Sequence, residues 1–239
     1  MLLLYRYCAV IILLLSLSSS SQIVQEKMGV ILGVRAGLSV SSFWGDGVTT
    51  FEKDLSESVA NYKSGLHTFF TSGFFVQYEI VQDFFAIQPE FLYLRSGKSW
   101  KVFLNDGGSS SFNIYSDYLQ IPFIAKILIP SRSVIINAYA GPSLLIKLSS
   151  RAENISSIPE TVNIGFLGSV NADDKLSSIV NPVDAGLTTG FALDILAGSG
   201  RFLVDLRYTF GTIQVFKPKG GSDFRNSAFS LFTGYAWSY

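Results

Sequence analysis

The chain is short of the residues from which metal sites and nucleophilic active sites are built. Among 239 residues there is one cysteine and one histidine. Cys8 falls within the first twenty positions. A mature chain that starts later has no thiol, which excludes a disulfide framework, a thiolate metal site and a cysteine nucleophile. His67, being alone, cannot build a histidine metal cluster. Charge is scarce as well: Lys+Arg and Asp+Glu number 18 each, and only 15% of residues are charged, against roughly 25% in soluble domains. A net charge of zero with no basic cluster removes the electrostatic case for nucleic acid. After residue 22 no apolar run approaches the ~20 residues of a helical membrane span. Disorder is excluded too, because 48% of residues are hydrophobic and there is little charge to solvate a coil.

What is present begins with a leader. One positive charge, Arg6, precedes an apolar run at 9–17, and Ser18, Ser19, Ser20 and Ser21 supply small residues for cleavage. These are the three parts of a secretory signal peptide, expected over residues 1–21, with a mature domain at 22–239. An uncleaved anchor is the alternative. The run is too short to cross a bilayer, and Cys8 stands before it rather than after it, unlike a lipoprotein signal.

Beyond the leader the dominant signal is alternation with period two. At 30–40, Val30, Leu32, Val34, Ala36, Leu38 and Val40 share one face; Ile31, Gly33, Arg35, Gly37 and Ser39 share the other. Successive strand side chains point to opposite sides, so this reads as a strand with one apolar and one small or polar face. The pattern recurs at 67–80, 84–95, 115–129, 134–148, 184–195, 202–212 and 227–239. In the last, Phe229, Leu231, Tyr235, Trp237 and Tyr239 oppose Ala228, Ser230, Gly234, Ala236 and Ser238. Eight strands of about 10–14 residues suit tilted membrane crossings.

The connections alternate too. Short turns are expected at 81–83, 130–133 and 197–200, and long ones at 43–64, 97–114, 149–183 and 214–226. Tight turns at one end and long loops at the other are the pattern of an all-β, eight-stranded, antiparallel up-and-down transmembrane β-barrel with periplasmic turns and outer loops. A soluble barrel has the same period with its apolar residues inside. The membrane reading is favoured because the polar faces are rich in Gly, Ser and Thr, poor clothing for a soluble exterior. The apolar faces are also long and aromatic at their ends.

Four stretches carry a resemblance: GVRAGLSVSSFWGD at 33–46, FFAIQPEFLYLRSG at 84–97, DYLQIPFIAKI at 117–127 and AYAGPSLLIKLS at 138–149. They resemble the PorT-like, porin-family outer-membrane beta-barrel proteins, over residues 29–239. The most specific pieces are Gln88, Pro89 and Glu90; Tyr118, Leu119, Ile121 and Pro122; and Ala140, Gly141 and Pro142. Where the family often carries Glu, this chain has Gln120, which takes one charge from the lumen. The resemblance implies a barrel of the bacterial outer membrane. It does not carry a secretion role with it, since function does not follow from fold.

The inward charges expected from the alternation are Arg35, Glu79, Glu90, Lys126, Lys147, Asp184, Asp194, Asp205 and Arg207, a structural lumen network. Asp194, Asp205 and Arg207 should meet across the turn at 197–200. An eight-stranded interior is just wide enough for side chains to fill, so mutual pairing is favoured over an ion path. No catalytic, cofactor-binding or metal residue is expected, and no cofactor. A lipid hydrolase would need a serine beside His67, where Ser64 is the sole nearby candidate. The loop at 149–183, with Asp173 and Asp174, is where an unknown partner would bind. The other expected partners are outer-membrane lipid and, during insertion, the barrel-assembly machinery, for a monomer without nucleic acid. Two functions stay open: a non-enzymatic envelope structural or interaction component acting through its long outer loops, and a narrow porin-like channel or transporter for small solutes.

A closed barrel has no edge to unzip and resists detergent. Boiled and unboiled samples should therefore migrate differently on gels. Identical migration from an ordinary soluble fraction would count against a membrane barrel.

Overall fold

A computed structural model of the chain describes residues 29–104, 107–154, 180–216 and 223–238. The leader expected at 1–21 lies outside them. Eight strands appear in chain order: β1 (Val30–Trp44), β2 (Asn61–Val81), β3 (Phe85–Phe103), β4 (Ser109–Pro130), β5 (Val134–Glu153), β6 (Val183–Ala197), β7 (Gly200–Gly211) and β8 (Arg225–Ser238). Each pairs antiparallel with its neighbour, and β1 pairs with β8 from Ile31↔Ser238 to Trp44↔Arg225, closing the ring. Closure removes both sheet edges through the body of the barrel. Above it the tops of β2 and β5 run past their pairing with β1, which ends at Ser41↔His67, and with β6, which ends at Ile146↔Val183.

Side-chain burial follows the alternation and settles which face points inward. In β7, Phe202, Val204, Leu206 and Tyr208 are exposed, while Arg201, Leu203, Asp205, Arg207 and Thr209 are buried. In β1, Leu32, Val34 and Leu38 are exposed while Arg35 and Ser39 are buried. The large apolar side chains thus lie on the outside and the charges within, the inverse of a soluble barrel and the arrangement of a barrel set in lipid.

The strands are longer than the expected 10–14 residues on one side of the barrel. β2, β3, β4 and β5 run for 21, 19, 22 and 20 residues, against 15, 12 and 14 for β6, β7 and β8. About ten tilted residues cross the hydrocarbon, so the tall strands continue past the apolar zone in polar residues, where hydropathy no longer marks a strand. The segment 97–114, expected as a loop, is mostly the top of the β3–β4 hairpin, paired from Lys98↔Ile114 to Phe103↔Ser109. Likewise, 149–153 of the expected loop at 149–183 belong to β5, and residues 155–179 lie outside the described residues.

The expected loop at 43–64 holds a helix, α1 (Asp46–Ser58). Val48, Phe51 and Leu55 recur at helical spacing and are buried together with Val59. Gly45 precedes the helix at φ 116. A Cβ there would lie 2.4 Å from the Asp223 carbonyl oxygen, so the position requires glycine. The Gly47 N–H donates to that same carbonyl at 2.9 Å, which ties the start of α1 to the segment leading into β8.

The facing assignment is tested by Leu206, 43% exposed midway along β7. Leu206→Arg should destabilise the inserted barrel by about 2–4 kcal/mol, measured by reversible unfolding in lipid vesicles. Thr209→Ser, facing the lumen, should change little. A silent Leu206→Arg beside a ruinous Thr209→Ser would reverse the faces.

Candidate functional site

Inside the barrel the side chains stack in layers, and the middle layer centres on Arg207 of β7. Its Nη1 and Nη2 donate to both Glu90 carboxylate oxygens on β3, at 2.6 and 2.9 Å. Nη2 also donates to Asp205 Oδ2 at 3.2 Å, and Nε to the Tyr139 hydroxyl on β5 at 3.0 Å. The planar guanidinium suits this fork geometry, which an ammonium would not reproduce. Arg35 of β1 enters from another wall, its Nη1 on Asp205 Oδ2 at 2.5 Å and 3.5 Å from Glu90. The Tyr139 hydroxyl donates to the second Asp205 oxygen. Both guanidinium carbons also lie against Phe232, at 5.7 and 5.2 Å from its centroid. Four strands (β1, β3, β5 and β7) are thereby joined across the lumen.

Lys126 lies beside this layer. Its Nζ donates to Gln77 Oε1 and Gln88 Oε1, both at 3.1 Å, and Gln88 Nε2 in turn donates to Glu90. Toward the periplasmic turns, Arg201 lies 3.5 Å from Asp194 and 3.6 Å from Glu79. Asp194 therefore does not join Asp205 and Arg207 as expected. The register places it opposite Leu203, one inward position nearer the turn, where Arg201 is the cation within reach. Arg35, Lys126, Arg201 and Arg207 balance Glu79, Glu90, Asp194 and Asp205.

The outer half of the lumen is polar but holds fewer charges. Gln120 Nε2 donates to Ser143 at 2.9 Å and lies 3.3 Å from the hydroxyls of Thr188 and Thr209. Asp184 accepts from Asn226 Nδ2 at 2.9 Å and from the Ile213 N–H at 3.3 Å, and among the described residues it forms no ion pair. Lys147, half-buried, donates to the Val180 carbonyl at 2.8 Å. Of the nine charges expected in one network, these two stand apart because they enter the lumen near its outer end.

Above them α1 folds into the mouth. Phe51 meets Trp100 edge-on at 5.3 Å, Trp100 stacks on Phe112 at 5.2 Å, and Phe224 packs against Phe216 at 5.3 Å. With Phe43, Leu55, Val102 and Ile114 they form the largest buried apolar cluster of the described residues. The mouth is a hydrophobic core. His67 stacks on Phe69 at 4.6 Å, and no hydrogen bond joins it to Ser64.

The uncharged members of the network, Gln77, Gln88, Tyr139 and Asn226, and one cation, Arg201, were not in the expected set. Arg201 shares the parity of Asp205 and Arg207, and that parity was the available signal. The apolar alternation is clear only from Phe202 onward, which hides Arg201 at the turn. The amides and the tyrosine carry no charge to mark them.

A closed ring of eight strands with an apolar exterior and a paired, charged interior defines a membrane β-barrel. Residues 20–217 match the family described as outer membrane protein beta-barrel domain. The chain belongs to that family and is a protein of the bacterial outer membrane. No curated protein sequence matches it. Among solved structures it is similar to Neisserial surface protein A (14% identity, 88% of this chain and 97% of that chain, TM-score 0.45). It is similar also to outer membrane protein OprG from Pseudomonas aeruginosa (10% identity, 90% and 99%, TM-score 0.47). A third is the outer membrane protease OmpT from Escherichia coli (6% identity, 93% and 100%, TM-score 0.37).

Removing one partner of a buried, bonded ion pair leaves an uncompensated charge, at a cost of about 3–5 kcal/mol. Arg207→Met should lose stability by that amount in urea unfolding from vesicles, and Arg207→Lys should recover only part of it. Adding Glu90→Gln to Arg207→Met should restore some of the loss. Additive losses from the two substitutions would show that the pair is not coupled.

Proposed function

We propose that the protein is a non-enzymatic outer-membrane barrel of the PorT-like branch, acting as an envelope structural or interaction component through its long outer loops. The observation that carries this reading is the filled lumen. Arg207 is 1% and Glu90 0% exposed in the middle layer, and the aromatic cluster around α1 closes the mouth. Solute passage would have to separate Arg207 from Glu90 and Asp205 and unpack Phe51 from Trp100, two costs with no compensating gain in the closed barrel. The PorT-like assignment is supported by motif residues that bond within the lumen, Gln88, Glu90 and Tyr118. The remaining parts of the proposal are a cleaved leader at 1–21, a monomer inserted by the barrel-assembly machinery, and an unidentified partner for the region 149–183.

Purified protein in planar bilayers separates this reading from the narrow channel. No stable single-channel openings are expected. Reproducible openings of uniform conductance in the unsubstituted protein would overturn the proposal in favour of solute passage.

A further inference from the structure

The tall side of the barrel presents an outer wall above the apolar belt, and that wall sets two like charges side by side. Lys63 of β2 lies directly opposite Lys101 of β3 in the ladder. Like charges in facing positions destabilise a sheet, because their side chains rise side by side about 5 Å apart. Both ammonium groups lean over one ring, Phe103, with Nζ 5.9 and 5.4 Å from its centroid. Both side chains are exposed, and among the described residues neither has an ion-pair partner. Ser111 of β4 continues the same row beyond Lys101.

The neighbouring rows show that the excess of positive charge is local. Arg95, on the same face, is neutralised by Asp117 at 2.5 Å. Arg151 is exposed and forms no ion pair among the described residues, and Glu153, the acid on this part of the wall among the described residues, accepts from the Tyr115 hydroxyl. Among the described residues, Lys63, Lys101 and Arg151 thus face one carboxylate.

Height determines what such a surface meets. Below Arg95 the outward residues of β3 are Phe85, Ile87, Pro89, Phe91 and Tyr93, an apolar run ending in a tyrosine at the interface. A tilted strand advances about 2.5 Å per residue along the membrane normal. Lys101 therefore stands roughly 15 Å beyond Arg95, among headgroups and sugars rather than acyl chains.

We propose that this wall binds a phosphorylated glycolipid of the outer leaflet. An anionic phosphate would sit between Lys63 and Lys101, with the Ser111 hydroxyl at the edge of the same row. The anion turns a repulsive pair into a two-pronged clamp, and the aromatic ring beneath fixes where the two ammonium groups rest. The inference depends only on residence in the outer membrane and is independent of whether the lumen conducts.

The test uses full-length protein in detergent micelles, titrated with an outer-leaflet glycolipid bearing core phosphates and with the same glycolipid after phosphatase treatment, read by native mass spectrometry. Each basic residue at an anionic surface contributes about fivefold, so Lys63→Ser with Lys101→Ser should weaken binding of the phosphorylated form by about thirtyfold. The dephosphorylated glycolipid should bind the unsubstituted protein no better than the phosphorylated form binds the double variant. Added salt should narrow the difference, and inorganic phosphate at matching concentration should not compete effectively, since it lacks the lipid anchor. The heat-dependent gel shift of the variant verifies that it is folded. Equal affinity of variant and unsubstituted protein, or indifference to phosphatase treatment, would overturn the proposal. Full competition by inorganic phosphate would overturn the assignment to a lipid.

Discussion

The bidentate pair between Arg207 and Glu90 is the contact on which the interior of this barrel depends. An eight-stranded ring encloses too little space for bulk water, so charges that line it have only one another as partners. Arg207 reaches across to Glu90 while also holding Asp205 and Tyr139, and Arg35 completes the set from the opposite side. Apolar residues of similar volume could fill the same space, and burying ions is no route to extra stability. What the ions supply is direction: each bond demands a particular partner at a particular height, so a strand displaced by one residue would turn these groups toward lipid.

This constraint explains the division of labour along the barrel axis. The periplasmic and middle layers are ionic, the next is made of hydroxyls and amides around Gln120, and the outer end is an aromatic core built on α1. Lipid stabilises the outside of the wall only where the apolar belt runs. Beyond it, β2–β5 stand in water, and their inner faces need a core of their own. Trp100, Phe112 and Ile114, on the tall strands, meet Phe51 and Leu55 of α1 for that purpose. Helix and tall wall are two halves of one solution, and neither would be stable without the other.

Alternation made the barrel legible in the sequence, because lipid on one side and a packed lumen on the other constrain every second residue. The facing of Arg35, Glu90, Asp205 and Arg207 followed from parity alone. Their partners did not, since pairing across the lumen depends on register between strands far apart in the chain; Asp194 fell to Arg201 for that reason. The tops of β3 and β4 went unread because Ser99, Lys101 and Ser111 face water on a strand as they would in a loop. The helix was readable. Val48, Phe51, Leu55 and Val59 repeat at three- and four-residue steps, but the span is short and lies between two strands, where its place in the chain reads as a loop.

Seven of the eight strand pairings join neighbours in sequence and can form as local hairpins. The eighth, β1 with β8, joins the two ends of the chain. Its closure carries the largest loss of chain entropy and is therefore the slow, committing step of folding. Arg35 belongs to β1, and its acceptor Asp205 lies on β7. Their bond spans the sequence almost as widely as the seam does, so the guanidinium cannot find its partner until the ring is nearly shut. The open sheet must then keep its inward row hydrated while its outward row already contacts acyl chains. Sealing the last ladder and drying the lumen become a single event, and the rate of one is the rate of the other.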